Sequence, residues 1–131
     1  MENYTTKVTS SVPPPAIPAV LTKTKQTYQI WHEYLQKLNR IDRYTIGARI
    51  DETFLCLLES IFRACFAYDK FEKLSFLSQS MSKNDLLKFF LQIAWEQEVI
   101  VRKQYGTLSL LTSDIGRQLY NWKKDTQDKI K

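Results

Sequence analysis

The chain has 131 residues and carries 19 Lys and Arg against 14 Asp and Glu, which gives a net charge of +5 at pH 7. That length fits a single domain, and 44% hydrophobic residues are enough for a substantial core. With 3 glycines and 4 prolines, the sequence has little material for the many tight turns of a strand-rich fold. The basic balance favours a polyanionic partner such as RNA or DNA, although a solvated lysine face would give the same total charge.

The first residues predict a flexible tail and not a packed element. Residues 1–18 contain all 4 prolines of the chain together with many Thr and Ser residues. A regular apolar spacing begins only at Val20. We therefore assign residues 1–18 to the tail, residues 19–124 to a helical domain and residues 125–131 to a basic C-terminal tail.

Four segments with the apolar spacing of amphipathic helices follow in chain order. The first covers residues 19–38, and the second, which is apolar on more than one face, covers residues 46–68. The third, residues 70–96, has a polar middle that predicts a kink, a break or a new N-cap near Ser82. The fourth covers residues 105–122, and the lysines that follow it suit a helix C-terminus.

These helices can hide their apolar stripes only by packing on one another. The sequence therefore predicts an all-α fold, an antiparallel up-and-down four-helix bundle in which Trp31 and Trp122 are buried. Further apolar side chains on the second and third helices exceed what one packing seam needs, and they predict self-association. They form two neighbouring pairs, Phe62 with Phe66 and Phe89 with Phe90.

Cysteine usage and the lack of a targeting signal indicate a reducing compartment. Cys56 and Cys65 lie in an apolar helical pattern that fits neither a metal site nor a disulfide framework, which predicts buried free thiols. No apolar run approaches the ~18 to 20 residues of a membrane-spanning helix. The N-terminus lacks the basic and then apolar order of a secretory signal, so we expect a cytoplasmic protein with no membrane partner.

The sequence lacks the residue constellation of an enzyme. It has 1 histidine, no glycine-rich phosphate loop and no cluster with metal-ligand spacing. We therefore expect no catalytic residue, no cofactor and no metal. An enzymatic alternative would have to centre on His32 with Glu33 and Tyr34.

A basic turn between the first and second helices is the strongest candidate site. Arginine suits phosphate because its planar fork donates two parallel hydrogen bonds, so the turn predicts contact with a nucleic-acid backbone. Tyr44 adds an aromatic surface for stacking. In the alternative, the turn is a solvated loop whose cations pair with Asp42 and Asp51. The cations of the turn are Lys37, Arg40, Arg43 and Arg49.

Arg63 is a further candidate contact to nucleic acid. It lies in an apolar stretch, where a lone cation is costly unless it is paired or faces water. Its spacing from Glu59 predicts an ion pair within the helix, as does the spacing of Arg49 and Glu52. A position at a subunit boundary or a central channel would also accommodate this cation.

Three stretches of the sequence together resemble one known family. They are residues 28–67, the segment KFFLQIA at residues 88–94 and the segment IGRQLYNWKK at residues 115–124. They are similar to the four-helix-bundle family that includes the accessory variability determinant of diversity-generating retroelements. The proteins encoded in intervening sequences of large-subunit ribosomal RNA genes belong to the same group.

This resemblance implies a homopentameric barrel with a basic surface. Such a protein would bind RNA and DNA and associate with a reverse transcriptase, and it would support mutagenic reverse transcription without performing chemistry itself. The family's basic positions fall on Arg40, Arg43 and Arg49, and the residues themselves add Lys37 and Arg63. The alternative is a self-assembling protein-interaction module of the ribosomal intervening-sequence type, without specific binding of nucleic acid.

Overall fold

The computed structural model describes residues 17–130, which form α-helices and contain no strand. Four of the helices are long, and a short one of 5 residues precedes the second long helix. The predicted N-terminal tail lies outside the described residues except for its last two positions. The helices are α1 (Ala19–Gln36), α2 (Arg40–Tyr44), α3 (Ile46–Cys65), α4 (Lys70–Glu96) and α5 (Arg102–Ile130).

The four long helices pack as a closed ring in which each contacts two neighbours. α1 contacts α3 and α5, and α4 contacts the same two helices. Neighbours are antiparallel: Lys70 Nζ at the start of α4 lies 3.3 Å from the Lys129 carbonyl oxygen near the end of α5. Arg49 at the start of α3 lies over the Phe90 ring near the end of α4. The predicted all-helical fold is confirmed as a four-helix bundle, and its pentameric assembly stays a prediction.

Trp31 joins α1 to α3 at the centre of the core, where it is fully buried. Its ring stacks on Phe54 with centroids 6.3 Å apart, and Tyr28 meets the same Phe54 ring edge-on at 5.7 Å. Large aromatic side chains packed in this way dominate core energetics. Trp122 lies nearer the margin of the bundle and is only half-buried. The predicted burial is therefore confirmed for Trp31 and only in part for Trp122.

α4 is continuous over 27 residues, so the break or new N-cap predicted near Ser82 does not occur. Two of the polar side chains in its middle, Ser80 and Asn84, are buried and find partners on neighbouring helices. The hydroxyl oxygen of Ser80 lies 2.8 Å from that of Ser60 on α3. Asn84 Nδ2 donates to the Thr112 carbonyl oxygen of α5 at 2.9 Å. Because these partners belong to neighbouring helices, the polar residues join the helices and do not interrupt their own.

α5 continues through residues 125–130, for which the sequence predicts a C-terminal tail. Thr126 is buried there, and its hydroxyl donates to the Trp122 carbonyl oxygen at 2.9 Å. Near the middle of α5, Asp114 forms an ion pair with Lys23 of α1. The hydrogen bond from Lys23 is the main cause of a lowered pKa of Asp114.

Cys56 and Cys65 are free thiols, as predicted, but both are half-buried at the edge of the core. Burial raises the pKa of the Cys65 thiol, and the ammonium of Lys73 partly offsets that effect. None of the helices among residues 17–130 is long and apolar enough to cross a membrane.

Candidate nucleic-acid interface

The basic turn folds into the short helix α2, and Asn39 determines where that helix begins. The Asn39 side chain accepts a hydrogen bond from the Asp42 backbone N–H at 2.9 Å and donates one to the Asp42 carboxylate at 3.0 Å. This is the geometry of a helix N-cap, which satisfies an otherwise unpaired backbone donor. Residues three apart share one face of a helix, so Arg40 and Arg43 are neighbours on the surface of α2.

Tyr44 presents an exposed ring beside both arginines. The residue is 70% exposed, and its ring centroid lies 5.9 Å from Arg40 Cζ and 5.8 Å from Arg43 Cζ. At such distances a guanidinium is attracted to the electron-rich face of the ring. Arg43 Nε is also buried and has no hydrogen-bond partner among the described residues. The ring therefore orients two guanidinium groups whose donors are not all used by the fold.

Gly47 allows α2 to fold closely onto the start of α3. A Cβ atom at this position would lie 2.8 Å from the Asp42 carbonyl oxygen. It would also lie 3.0 Å from Leu35 Cδ1 and 3.1 Å from Leu38 Cδ1. A side chain here would push the turn away from the ends of α1 and α3, so the glycine helps to hold the cations in place.

Arg49 joins this group from the first turns of α3. Its Cζ lies 5.4 Å from the Phe90 ring centroid on α4, and its Nε lies 3.9 Å from Glu52 Oε1, which confirms the predicted ion pair. Both partners are exposed, so the pair contributes little to stability and leaves the guanidinium accessible. Lys37, the C-cap residue of α1, is exposed at the same end of the bundle. We call this set of four cations the arginine corner: Lys37, Arg40, Arg43 and Arg49.

The two aspartates near the arginine corner are bonded to other groups. The Asp42 carboxylate accepts from Asn39, and Asp51 accepts from the indole N–H of Trp31 at 3.2 Å. Burial, followed by the neighbouring carboxylate of Asp51, raises the pKa of Tyr28 to about 12. These partners argue against the alternative in which the two aspartates pair with the arginines.

Arg63 lies away from the arginine corner. It belongs to the last turn of α3, about 21 Å further along the helix axis than Arg49 at ~1.5 Å per residue. Two of its nitrogen atoms lie 3.1 and 3.0 Å from Glu59 Oε2, which confirms the predicted ion pair. The side chain is exposed, so this cation tolerates its apolar surroundings by facing water. The structure thus groups four of the predicted residues and separates the fifth.

Arg102 and Lys103, which are not among the predicted site residues, are exposed at the start of α5. α5 begins where α4 ends, as the stacking of Trp95 on Tyr105 shows, with centroids 4.8 Å apart and 5° between the ring planes. Antiparallel packing brings that end of α4 to the start of α3 and hence to the arginine corner. The predicted order of antiparallel helices implies that Arg102 and Lys103 lie at the same end of the bundle as the arginine corner. They are far from the basic turn along the chain, so a local sequence pattern does not reveal this proximity.

His32, the centre of the enzymatic alternative, is exposed on α1. Its Nε2 lies 3.2 Å from Gln36 Nε2, and its ring centroid lies 5.8 Å from that of Tyr28. An amide partner does not make an imidazole a stronger base, as a carboxylate would. Among residues 17–130, no group of three or more His, Cys, Asp and Glu side chains is placed to hold a metal ion.

Comparison with solved structures gives the same fold. The chain is similar to the crystal structure of a protein of unknown function from the S23 ribosomal protein family of Bacteroides thetaiotaomicron, with a TM-score of 0.74. The alignment covers 81% of this chain and 96% of that chain at 18% sequence identity, a level that supports the fold alone. Comparison with curated proteins yields no match.

A model of the bAvd-like family matches residues 19–126. The matched range begins with α1 and ends near the C-terminus of α5, so it contains the core of the bundle and the arginine corner. This match agrees with the family resemblance of the sequence segments quoted above. The chain therefore belongs to the bAvd-like family, the family of the bacterial accessory variability determinant.

Proposed function

We propose that this protein is a non-enzymatic accessory protein of a diversity-generating retroelement, which binds nucleic acid and a reverse transcriptase to support mutagenic reverse transcription. Membership of the bAvd-like family supports the accessory role. One observation of the structure carries the nucleic-acid part of the proposal. Arg40 and Arg43 lie within 6 Å of the exposed Tyr44 ring at one end of the bundle, where they form a cationic and aromatic surface.

The arginine corner has the chemistry that a phosphate backbone requires. Each guanidinium can donate two parallel hydrogen bonds to a phosphate, and arginine is more weakly hydrated than lysine. The cap at Asn39 and the close approach at Gly47 fix the turn before any ligand binds, which lowers the entropic cost of association. Arg102 and Lys103 extend the positive surface at the same end of the bundle.

We further propose that five copies assemble into a ring, and that the ring contacts the polymerase. An exposed apolar stripe along α3 and its C-cap residue supports self-association, and it consists of Leu55, Phe62 and Phe66. The rings of Phe62 and Phe66 lie 4.9 Å apart, so they form one continuous patch. A ring of identical subunits would repeat the arginine corner around its axis and offer several contacts to one polynucleotide.

Binding to a structured RNA and to a duplex DNA across a salt titration tests the nucleic-acid part. Tight binding with a steep salt dependence is expected, because each neutralised phosphate contributes a slope of about −0.9 on duplex DNA. Replacing Arg40→Ala together with Arg43→Ala should weaken binding and make the slope shallower by about 1.8. Co-purification with a co-expressed retroelement reverse transcriptase tests the polymerase contact.

A matched control removes two cations from another surface. Lys25 and Arg117 are exposed on α1 and α5, away from the arginine corner. The variant Lys25→Ala with Arg117→Ala has the same net charge as the corner variant, and it should bind almost as the unmodified protein does. Equal losses in both variants would mean that total charge, and not the arginine corner, determines binding.

The second candidate function is a self-assembling protein-interaction module. The exposed stripe of Leu55, Phe62 and Phe66 favours it, since a patch of this kind usually marks a protein contact. This function predicts stable oligomers with no binding to either polynucleotide at low salt.

A further inference from the structure

The end of the bundle opposite the arginine corner carries exposed aromatic rings among lysines. Tyr68 in the α3–α4 connection is 91% exposed, Phe71 on α4 is 70% exposed and Tyr120 on α5 is 55% exposed. Two adjoining grooves of about 700 and 660 Å³ lie between α4 and α5, and both are lined by Phe71 and Ile130. Exposed rings beside open grooves on one surface are unusual for a part of a protein that contacts only water.

Positive charge dominates the lining of these grooves. Asp69 and Asp128 are the acidic residues of the lining, and the Asp69 carboxylate caps α4 by accepting from the Glu72 backbone N–H at 2.8 Å. Lys73 Nζ lies 5.9 Å from the Trp122 ring centroid, so cations and rings are close neighbours here. We call this surface the aromatic lysine end, and its cations are Lys70, Lys73, Lys123, Lys124 and Lys129.

We infer that the aromatic lysine end binds single-stranded nucleic acid, with unpaired bases stacked on Tyr68, Phe71 and Tyr120 and with phosphates on the lysines. This inference rests on the proposed function in one respect, that a polynucleotide is the partner. Every unpaired base has a face that can stack on a ring, and a basic groove follows the backbone between such rings. In a duplex the base faces are already covered by their neighbours, so rings of this kind discriminate in favour of single strands.

The lysines decide between a polynucleotide and a protein partner. A protein helix that filled the grooves would have to desolvate several ammonium groups or supply a carboxylate for each of them. A nucleic-acid backbone supplies one negative charge per nucleotide and leaves its phosphates partly in water, so the same lysines remain hydrated while they are neutralised. The excess of positive charge at this surface therefore fits a polynucleotide better than an apolar peptide.

The two ends of the bundle would then hold different parts of one nucleic acid. α3 has 20 residues and spans about 30 Å between the two ends. The guanidinium groups of the arginine corner can bind the phosphates of single-stranded or double-stranded nucleic acid, whereas the aromatic lysine end selects unpaired bases. A template that passes from a structured region into a single strand could contact both ends of one subunit.

Phe71→Ala combined with Tyr120→Ala tests this inference, because both side chains are exposed and their loss should leave the core intact. The probes are a short labelled oligouridylate, which is unpaired, and an RNA duplex of the same length. We expect the double variant to bind oligouridylate at least about tenfold more weakly and the duplex with unchanged affinity. Phe89→Ala combined with Leu110→Ala removes two exposed apolar side chains from the same two helices, and it should leave both affinities unchanged.

A second variant tests the lysines without changing a ring. Lys123→Gln with Lys124→Gln should make the salt slope for oligouridylate shallower by about 1.4, at a slope of about −0.7 per phosphate of a single strand. Undiminished oligouridylate binding in both variants would overturn the inference while leaving the proposed function in place. A loss of self-association by Phe71→Ala with Tyr120→Ala, at unchanged oligouridylate affinity, would also overturn it and assign the surface to a second copy. If the unmodified protein binds neither probe, the proposed function fails as well.

Discussion

Trp31 on α1 donates its indole N–H to the carboxylate of Asp51 on α3, with 3.2 Å between the two atoms. Asp51 is half-buried on α3, close to Thr53 and Phe54, which are buried in the core. The bond therefore fixes the position of α1 along α3. Asp51 is two positions after Arg49, so the same bond connects the core to the arginine corner. In the sequence, Asp51 is a candidate ion-pair partner for the arginines of the turn. In the structure it connects α1 to α3 instead.

Trp31→Ala should destabilise the protein by ~3 to 5 kcal/mol, the usual loss for a large buried aromatic side chain. It removes a fully buried ring from its stack on Phe54 and deprives Asp51 of a hydrogen-bond donor. Trp122→Ala should cost clearly less, since that ring is only half-buried. Urea unfolding followed by circular dichroism measures both losses, and equal values would contradict the difference in burial.

Tyr28 should make the stability of the protein depend on alkaline pH. Its pKa is raised to about 12, so the folded state favours the neutral phenol more strongly than the unfolded state, where the value is ~10. The resulting stabilisation is fully present below pH ~10 and is lost as the pH rises from there through the folded-state pKa. Tyr28→Phe cannot ionise at this position, so the difference in unfolding free energy between the two proteins should be constant below pH ~10. Above that pH, the unmodified protein should lose stability relative to Tyr28→Phe.

An ultraviolet titration of tyrosine ionisation provides a direct check. The difference between the unmodified protein and Tyr28→Phe should contain one phenol that ionises later than the exposed tyrosines. A difference curve centred near the ordinary tyrosine value would mean that neither burial nor Asp51 acts on this group as described.

The helix order and the position of the basic turn could be predicted from the sequence, because both depend on local spacing. The starts of α3 and α4 and the clustering of Arg40 with Arg43 follow from such patterns. The roles of Asp51 and Asn84 could not be predicted, since their partners lie on other helices and polar residues give the same signal whether they face water or a neighbouring helix. The sequence predicts Arg63 as a further contact to nucleic acid, and the length of α3 places it away from the arginine corner.

Asn84 and Gly116 should be energetically coupled. A Cβ at position 116 would lie 3.1 Å from Asn84 Nδ2, which already donates to the Thr112 carbonyl oxygen. Gly116→Ala gains up to ~1 kcal/mol of helix propensity, but only if Asn84 can move aside and weaken that bond. In an Asn84→Ala background the space is free, so the same substitution should be more favourable by ~0.5 to 2 kcal/mol. A double-mutant cycle by urea unfolding measures this coupling, and additive effects would exclude it.

Gly47→Ala should affect both stability and nucleic-acid binding, because the new Cβ would lie 2.8 Å from the Asp42 carbonyl oxygen. Backbone atoms cannot rotate away as a side chain can, so α2 must shift, at a cost of ~1 to 3 kcal/mol typical of overpacking. That shift moves Arg40, Arg43 and Tyr44 together, and we expect weaker binding to duplex DNA with no change in net charge.

Gly106→Ala is the matched control for this substitution. Gly106 lies in the first turns of α5, and an added Cβ there would meet nothing within 4 Å. Alanine at that position should stabilise the protein by up to ~1 kcal/mol through helix propensity and leave DNA affinity as it is. If Gly47→Ala also retains full DNA affinity despite a measurable loss of stability, the geometry of α2 does not determine binding. The phosphate contacts would then lie on another surface, because a displaced α2 cannot keep three contacting side chains in register.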